Sequence, residues 1–218
     1  MNQNGRRLGP KGQRTRARLI QATVALISTT KLRDLRVADI AREAGTSPGT
    51  FYVYFPEVSD AVLAALDELT HGDPRIIALV DADWSKGDAV ARAIKIVEAY
   101  LAHWLRHNAL YRVRNLAADE GDVRFIKARA GGTIDLHNAL TQSVARARFA
   151  GWVAQELDPF MTAGVLLMML ERFAATQVQY DHSEVQRAKI VLAAAHVLAK
   201  FLAPPQATGP VAADIQPH

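Results

Sequence analysis

Apolar residues recur at three- and four-residue spacing along most of this chain, and no convincing stretch alternates as a strand would, so the pattern is that of an all-α protein. Residues 1–13, where Gly5, Gly9, Pro10 and Gly12 stand between bases, read as a flexible basic arm. From Arg14 the positions Leu19, Thr23, Leu26 and Ile27 predict a first helix to about Ser28, broken by Thr29, Thr30 and Lys31. Val37, Ile40, Ala41 and Ala44 share a face and predict a second helix over 37–44, which Gly45 stops. Ser47 is a good N-cap, and Pro48 sits at a first helical position where its missing N–H costs nothing. A short third helix therefore runs from Pro48 to about Tyr54 and ends at Pro56. A fourth, from Asp60 to His71, carries Val62, Leu63, Leu66 and Leu69, and Gly72-Asp73-Pro74 closes it.

Beyond that point the helical spacing continues. Asp88 caps a helix to about His107 with Val90, Ile94, Val97, Leu101 and Trp104 on its stripe, and Asn108 caps a short one through Leu110, Tyr111 and Leu116. Asp122 opens a long helix to about Trp152, with a kink or break expected at Gly131-Gly132. Asp158-Pro159 starts another, carrying Ala163, Leu167, Leu170, Ala174 and Val178. Ser183 and Gln186 form a capping box for a last helix to Leu202, before Pro204-Pro205. The small, polar residues from Gln206 onward read as a disordered tail. The expected organisation is an arm (1–13), a helix-turn-helix head (14–70), a helical bundle (71–203) and a tail (204–218).

Charge sharpens this division. Residues 1–55 carry ten Lys and Arg against three acids, a balance of +7, whereas the remaining chain is slightly acidic at −3. A basic head on an acidic body suits a module that meets phosphates. The chain has no cysteine, which excludes disulfides, thiol redox chemistry and zinc fingers. No run approaches the roughly 20 apolar residues of a membrane span, so no membrane partner is expected. The N-terminus lacks the apolar core of an export signal, and a cytoplasmic location is expected.

Two helices joined by a glycine turn, the second short and started by proline, make a helix-turn-helix, whose second helix presents its N-terminal residues to the major groove. Ser47, Pro48, Gly49 and Thr50 are small or hydrogen-bonding, as close approach to base edges requires. Phe51 and Phe55, four apart, face inward. Tyr52 and Tyr54 point elsewhere, free to meet sugar or phosphate or to serve as packing aromatics.

The run Ile40-Ala41-Arg42-Glu43-Ala44-Gly45-Thr46-Ser47-Pro48-Gly49-Thr50-Phe51-Tyr52-Val53-Tyr54-Phe55 resembles the signature of the TetR family of transcriptional regulators, and the resemblance covers about residues 14–70. It implies a three-helix DNA-binding head, a helical bundle behind it, and a homodimer reading a palindromic double-stranded operator. It also implies a repressor released by a small ligand. Carried over, DNA contacts would fall to Arg14, Arg36, Thr46, Ser47, Pro48, Gly49, Thr50, Tyr52 and Tyr54. Two positions depart from the family pattern. Arg36 stands where Ser or Thr usually caps the second helix. Phe55-Pro56-Glu57-Val58-Ser59-Asp60-Ala61-Val62-Leu63 lacks the lysine that usually opens the fourth and is one residue longer.

A ligand cavity is expected among the aromatic and Met-bearing helices, lined by Trp104, Tyr111, Phe125, Phe149, Trp152, Leu167, Met168 and Phe173. The scarcity of polar groups on these stripes points to a small apolar ligand, and Glu171-Arg172 reads as a structural polar pair. The last two helices present Ala163, Ala174, Ala193, Ala194 and Ala195 beside Leu167, Leu170, Ile190, Val197 and Leu198, a surface that could pair with a second copy. The alternative is a DNA-binding regulator without a small ligand, controlled by a protein partner. His103 and His107 share a helix face near Asp119, Glu120 and Asp122. They lack the glutamate of a metalloprotease helix, so no metal is expected. No phosphate loop, nucleophile elbow or triad spacing supports an enzyme, and no cofactor is implied.

Overall fold

The computed structural model describes residues 7–69, 73–179 and 183–205, and among these every regular element is helical. The first is α1 (Pro10–Ile27), with Leu19, Ile20, Thr23 and Ile27 buried along one side. It starts a turn earlier than expected, because Pro10 occupies its first turn, so residues 10–13 belong to the helix rather than to an arm. A single 3-10 turn (Leu32–Asp34) leads to α2 (Val37–Glu43) and α3 (Pro48–Tyr54). Gly45, at φ +63°, makes the left-handed turn that separates them, a conformation that costs glycine nothing.

The next helix, α4 (Val58–Asp67), begins two residues before the expected start, since Asp60 accepts from the Glu57 backbone N–H at 3.2 Å and so caps from inside the first turn. The end expected at His71 lies outside the described residues. Asp73 does not close that helix. It caps a separate one, α5 (Pro74–Asp81), whose Ile76 and Val80 are buried. The proline read as a stop is the first residue of a new element.

The remaining helices are α6 (Ala89–Arg106), α7 (Asn108–Asp119), α8 (Val123–Gly131), α9 (Ile134–Phe149), α10 (Pro159–Gln179) and α11 (Glu184–Leu202). The break expected at Gly131-Gly132 separates α8 from α9. The Ser183–Gln186 capping box opens α11 as expected. Within the head, α1 packs on α2 and α4, and α2 on α3. In the body α10 lies against α9 and α11 against α6, with α5 set between α6 and α9. The head rests on the body where α1 and α4 meet α7, and α4 meets α8.

Both long C-terminal helices carry apolar residues on two sides. Ala163, Leu167, Leu170, Ala174, Ala194, Ala195 and Leu198, expected at a dimer surface, face the molecule's own interior instead. The exposed face of α10 holds Met161, Val165 and Met168, and that of α11 Leu192 and Val197.

One side chain ties the head to the body. Arg124 on α8 donates to Asp122 through Nη2 (2.8 Å) and to Glu57 through Nη1 (2.6 Å), with Asp60 at 3.5 Å. It therefore clasps the start of α4, immediately after α3. Because Arg124 and Glu57 are each about half exposed, the pair should contribute little. A double-mutant cycle with Arg124→Gln and Glu57→Gln, read by chemical denaturation, should give a coupling of about 0.5–1 kcal/mol at low salt. That coupling should fall toward zero in 1 M salt; persistence there would mean that the contact is packing rather than charge.

Candidate nucleic-acid interface and cavity

Seven residues of helix cannot hold their own shape in water, so α3 depends on what it packs against. Phe51 is fully buried, Phe55 nearly so, with ring centroids 5.5 Å apart, and Arg16 of α1 lies 5.3 Å over the Phe55 ring. Burying each ring contributes about 2–3 kcal/mol, which holds the helix onto the head. Its free face is left outward, with Tyr52 51% and Val53 50% exposed.

The tip is internally bonded. Ser47 Oγ accepts from the Thr50 backbone N–H at 3.2 Å and lies 3.0 Å from the Thr50 hydroxyl, so Ser47 serves as the cap. Pro48 and Gly49 are exposed, and Thr46 and Thr50 half-buried. A Cβ on Gly49 would find nothing nearer than Ser47 Oγ at 3.9 Å, so the protein itself has room for a side chain there. Tyr54 turns back rather than out: its hydroxyl lies 3.5 Å from where a Gly12 Cβ would stand, at the first turn of α1. Arg14 and Arg36 are both exposed, and Arg36 flanks α2 without capping it through its side chain. Val53, which carries no expectation from the sequence, shares the free face of α3 with Gly49, one turn before it.

A second feature lies in the body. A cavity of about 30 Å³ is walled by the start of α5, the end of α6, α7 and the α8–α9 break. Of the eight residues expected to line a ligand site, Trp104 and Tyr111 stand here, with ring centroids 4.9 Å apart. The others lie elsewhere. Phe125 and Leu167 are buried away from this cavity, and Phe173 is half-buried. Trp152 edges separate shallow hollows. Phe149, 96% exposed, and Met168, 61% exposed, face out. Both sit on apolar stripes, but periodicity does not say which stripe is covered.

The lining that the sequence did not single out includes Ile76, Ile77, Tyr100, Arg114, Thr133 and Leu136. Arg114 is 2% exposed. Its Nη2 donates to Glu171 of α10, its Nε to Asn115 Oδ1 at 2.9 Å, and its guanidinium lies 4.6 Å over the Tyr111 ring. Glu171 thus pairs with Arg114 and not with Arg172, which points to solvent a hundred degrees around the helix. Burial pulls the Arg114 pKa down, and the Glu171 carboxylate opposes this. The signal in the sequence was phase, since Arg114 follows Tyr111 by three and precedes Ala118 by four, on the buried side of α7.

His103 Nε2 and the Tyr111 hydroxyl share a hydrogen bond of 2.7 Å, and His103 Nδ1 lies 4.0 Å from Asp73, itself held by Arg75 at 2.6 Å. That hydrogen bonding from Arg75 brings the Asp73 pKa down to about 2. Burial lowers the His103 pKa, and His107, with its ring 5.0 Å away, lowers it further while Asp73 opposes. His107 is lowered by burial and by Arg106. Among the described residues these histidines gather no third metal ligand. Both imidazoles prefer the neutral form when folded, so their contribution is complete above the unfolded value near 6.5 and is lost as pH falls below it. The melting temperature should therefore drop between pH 7.5 and 5.5, and His103→Gln with His107→Gln should shrink that drop. An equal drop in the variant would place the sensitivity elsewhere.

Two family models match the chain: "Bacterial regulatory proteins, tetR family" over residues 19–59, and "Tetracyclin repressor-like, C-terminal domain" over residues 77–203. A curated relative, the HTH-type transcriptional regulator BetI of Escherichia coli, is 30% identical over 120 residues, 47% of this chain. The match spans 62% of that relative's length. Among solved structures, the fatty acid degradation regulator FadR from Bacillus halodurans superposes with a TM-score of 0.64 at 18% identity, covering 89% of this chain and 97% of that one. FadR from Bacillus subtilis in complex with stearoyl-CoA gives 0.60 at 18%, covering 85% and 96%. At that identity the superpositions establish a shared fold.

Proposed function

We propose that this chain, which belongs to the TetR family of DNA-binding bacterial transcription regulators, acts as a repressor. Two copies would grip a palindromic operator through α3 and release it when a small ligand with a largely apolar body enters the bundle. The observation that carries the DNA reading is the tip of α3. It is small, exposed and held rigid by its own cap, and it lies within residues 1–55, whose charge balance is +7. Packing within the protein does not require glycine at position 49, whereas close approach to a base edge would.

In this reading Pro48, Gly49 and Thr50 lie along base edges, with Ser47 and Thr46 setting the tip's position. Tyr52 contacts sugar-phosphate or base. Val53 meets an apolar base feature such as the thymine methyl, which an exposed Val suits. Tyr54, beside the first turn of α1, shares a phosphate with the backbone N–H groups there. Arg14 and Arg36 neutralise flanking phosphates. The exposed apolar faces of α10 and α11 serve as the surface between copies.

For release, the wall formed by Gly132 and Thr133 adjoins α8, which bears Arg124, and Arg124 holds the start of α4 next to α3. Widening the cavity against this wall would move α8 and carry the head with it. The reading without a small ligand, with control by a protein partner, is favoured by one observation. About 30 Å³ is far below the roughly 300 Å³ at which drug-sized sites begin, so the cavity must expand severalfold. A thermal-shift screen with small organic compounds separates the two.

Selection from a random DNA pool at low salt should enrich a palindrome with half-sites about one helical turn apart. Failure to enrich any sequence would sink the repressor reading. On the selected site Tyr54→Phe should weaken binding about fivefold, the worth of one hydrogen bond near 1 kcal/mol, without altering base preference. Fluorescence anisotropy at fixed salt measures this, and equal affinity removes Tyr54 from the interface.

A further inference from the structure

Arg114 holds more hydrogen-bonding capacity than its neighbours use. A guanidinium offers five N–H donors in a planar fork. Here Nε is taken by Asn115 and Nη2 by Glu171, while Nη1 makes no hydrogen bond with the described residues. Nη1 lies 3.7 Å from where a Gly132 Cβ would stand, on the wall of the cavity. Only 2% of this residue is accessible, and Nη1 is not among the side-chain atoms that are both sealed and unpartnered, so it can be reached from the cavity that Arg114 lines. Ile76, Ile77, Trp104 and Leu136 give the cavity apolar and aromatic walls, alongside the polar Asp73, His103 and Thr133.

Three ligand chemistries meet this arrangement differently. A cation would seek the face of Tyr111, but the Arg114 guanidinium already covers it at 4.6 Å and would repel it. A neutral apolar molecule would leave the spare donor unmet. A carboxylate matches the planar fork, and arginine is the residue that binds carboxylates in two parallel hydrogen bonds. Glu171 does not prevent this, because one guanidinium can serve two carboxylates on different edges. Asp73, the other acid of the cavity, is engaged by Arg75 through both oxygens.

We propose that the ligand of this cavity is a small monocarboxylate with an aromatic or short aliphatic body. Its carboxylate takes the Nη1 edge of Arg114, and its body lies against Ile76, Ile77, Trp104 and Leu136. The proposal rests on the reading of the bundle as a small-ligand site and narrows the apolar ligand expected from the sequence to an amphipathic one. The Gly132–Thr133 break forms the wall nearest the incoming carboxylate, so seating it presses on the α8–α9 junction.

The test compares one carbon skeleton in three charge states on the full chain: benzoate, benzamide and benzylamine, with hexanoate as the aliphatic acid. Thermal shift and quenching of tryptophan fluorescence are read at pH 7.5. Benzoate or hexanoate should bind at least tenfold more tightly than benzamide and benzylamine. The double variant Arg114→Gln with Glu171→Gln, which removes both charges and leaves neither unpaired, should lose that preference. Its own melting transition reports whether it is folded. Arg114→Lys keeps the charge without the fork and should weaken the acids about tenfold, and benzamide, whose carbonyl accepts only one of these hydrogen bonds, by clearly less. Tighter binding of benzamide or benzylamine overturns the carboxylate assignment alone, as does an acid preference that survives in the variants. If none of the four binds, the assignment falls as well, and the thermal-shift screen then decides separately whether the bundle takes any small molecule.

Discussion

A cation buried in a bundle of leucines and aromatic rings sets the terms for the body of this protein. Moving a guanidinium out of water costs several kcal/mol, and the cost is offset only when partners stand in position before any solvent is available. Arg114 meets that condition with Glu171, Asn115 and the faces of Tyr111 and Trp104. The pairing joins α7 to α10 across 57 residues of sequence. It also holds Tyr111 where its hydroxyl can reach His103, which in turn lies beside Asp73 at the start of α5. The cavity is the space these groups leave between them, and its shape follows from the need to satisfy one charge.

The head obeys a different constraint. A seven-residue helix has too few internal hydrogen bonds to persist alone, so its position is inherited from Phe51, Phe55 and the packing beneath them. Its tip can then be small and polar at little expense to the fold. The hydroxyl of Ser47 caps the helix, which leaves shape, backbone and the flanking Tyr52 and Val53 as the features a partner meets.

Head and body meet where α1 and α4 pack on α7 and α4 packs on α8. The start of α4 follows α3 directly and is gripped by Arg124, and α8, which carries Arg124, ends at the glycine break that walls the cavity. Glu57 stands in the segment where the resembled family opens its fourth helix with a lysine. The acid there pairs instead with Arg124 of the body, a contact between the two parts of the chain.

Local chemistry was legible in the sequence alone. Ser47 with Pro48 placed α3 to the residue, Gly45 placed its turn, Gly131-Gly132 the break and Ser183 with Gln186 the last cap. Each of these depends on groups within a few residues of one another. The basic excess of residues 1–55 was legible for the same reason, because the charges are clustered along the chain. Tertiary structure alone decided which apolar face is covered, and so moved Phe149 and Met168 to the outside and Leu167 and Ala163 to the inside. It decided the partner of Arg114 and the membership of the cavity, where Tyr100, Arg114 and Leu136 meet from three helices. Helical periodicity tells that a residue lies on a face; what lies opposite that face is set by helices far away in sequence, and burial and charge pairing are properties of that encounter.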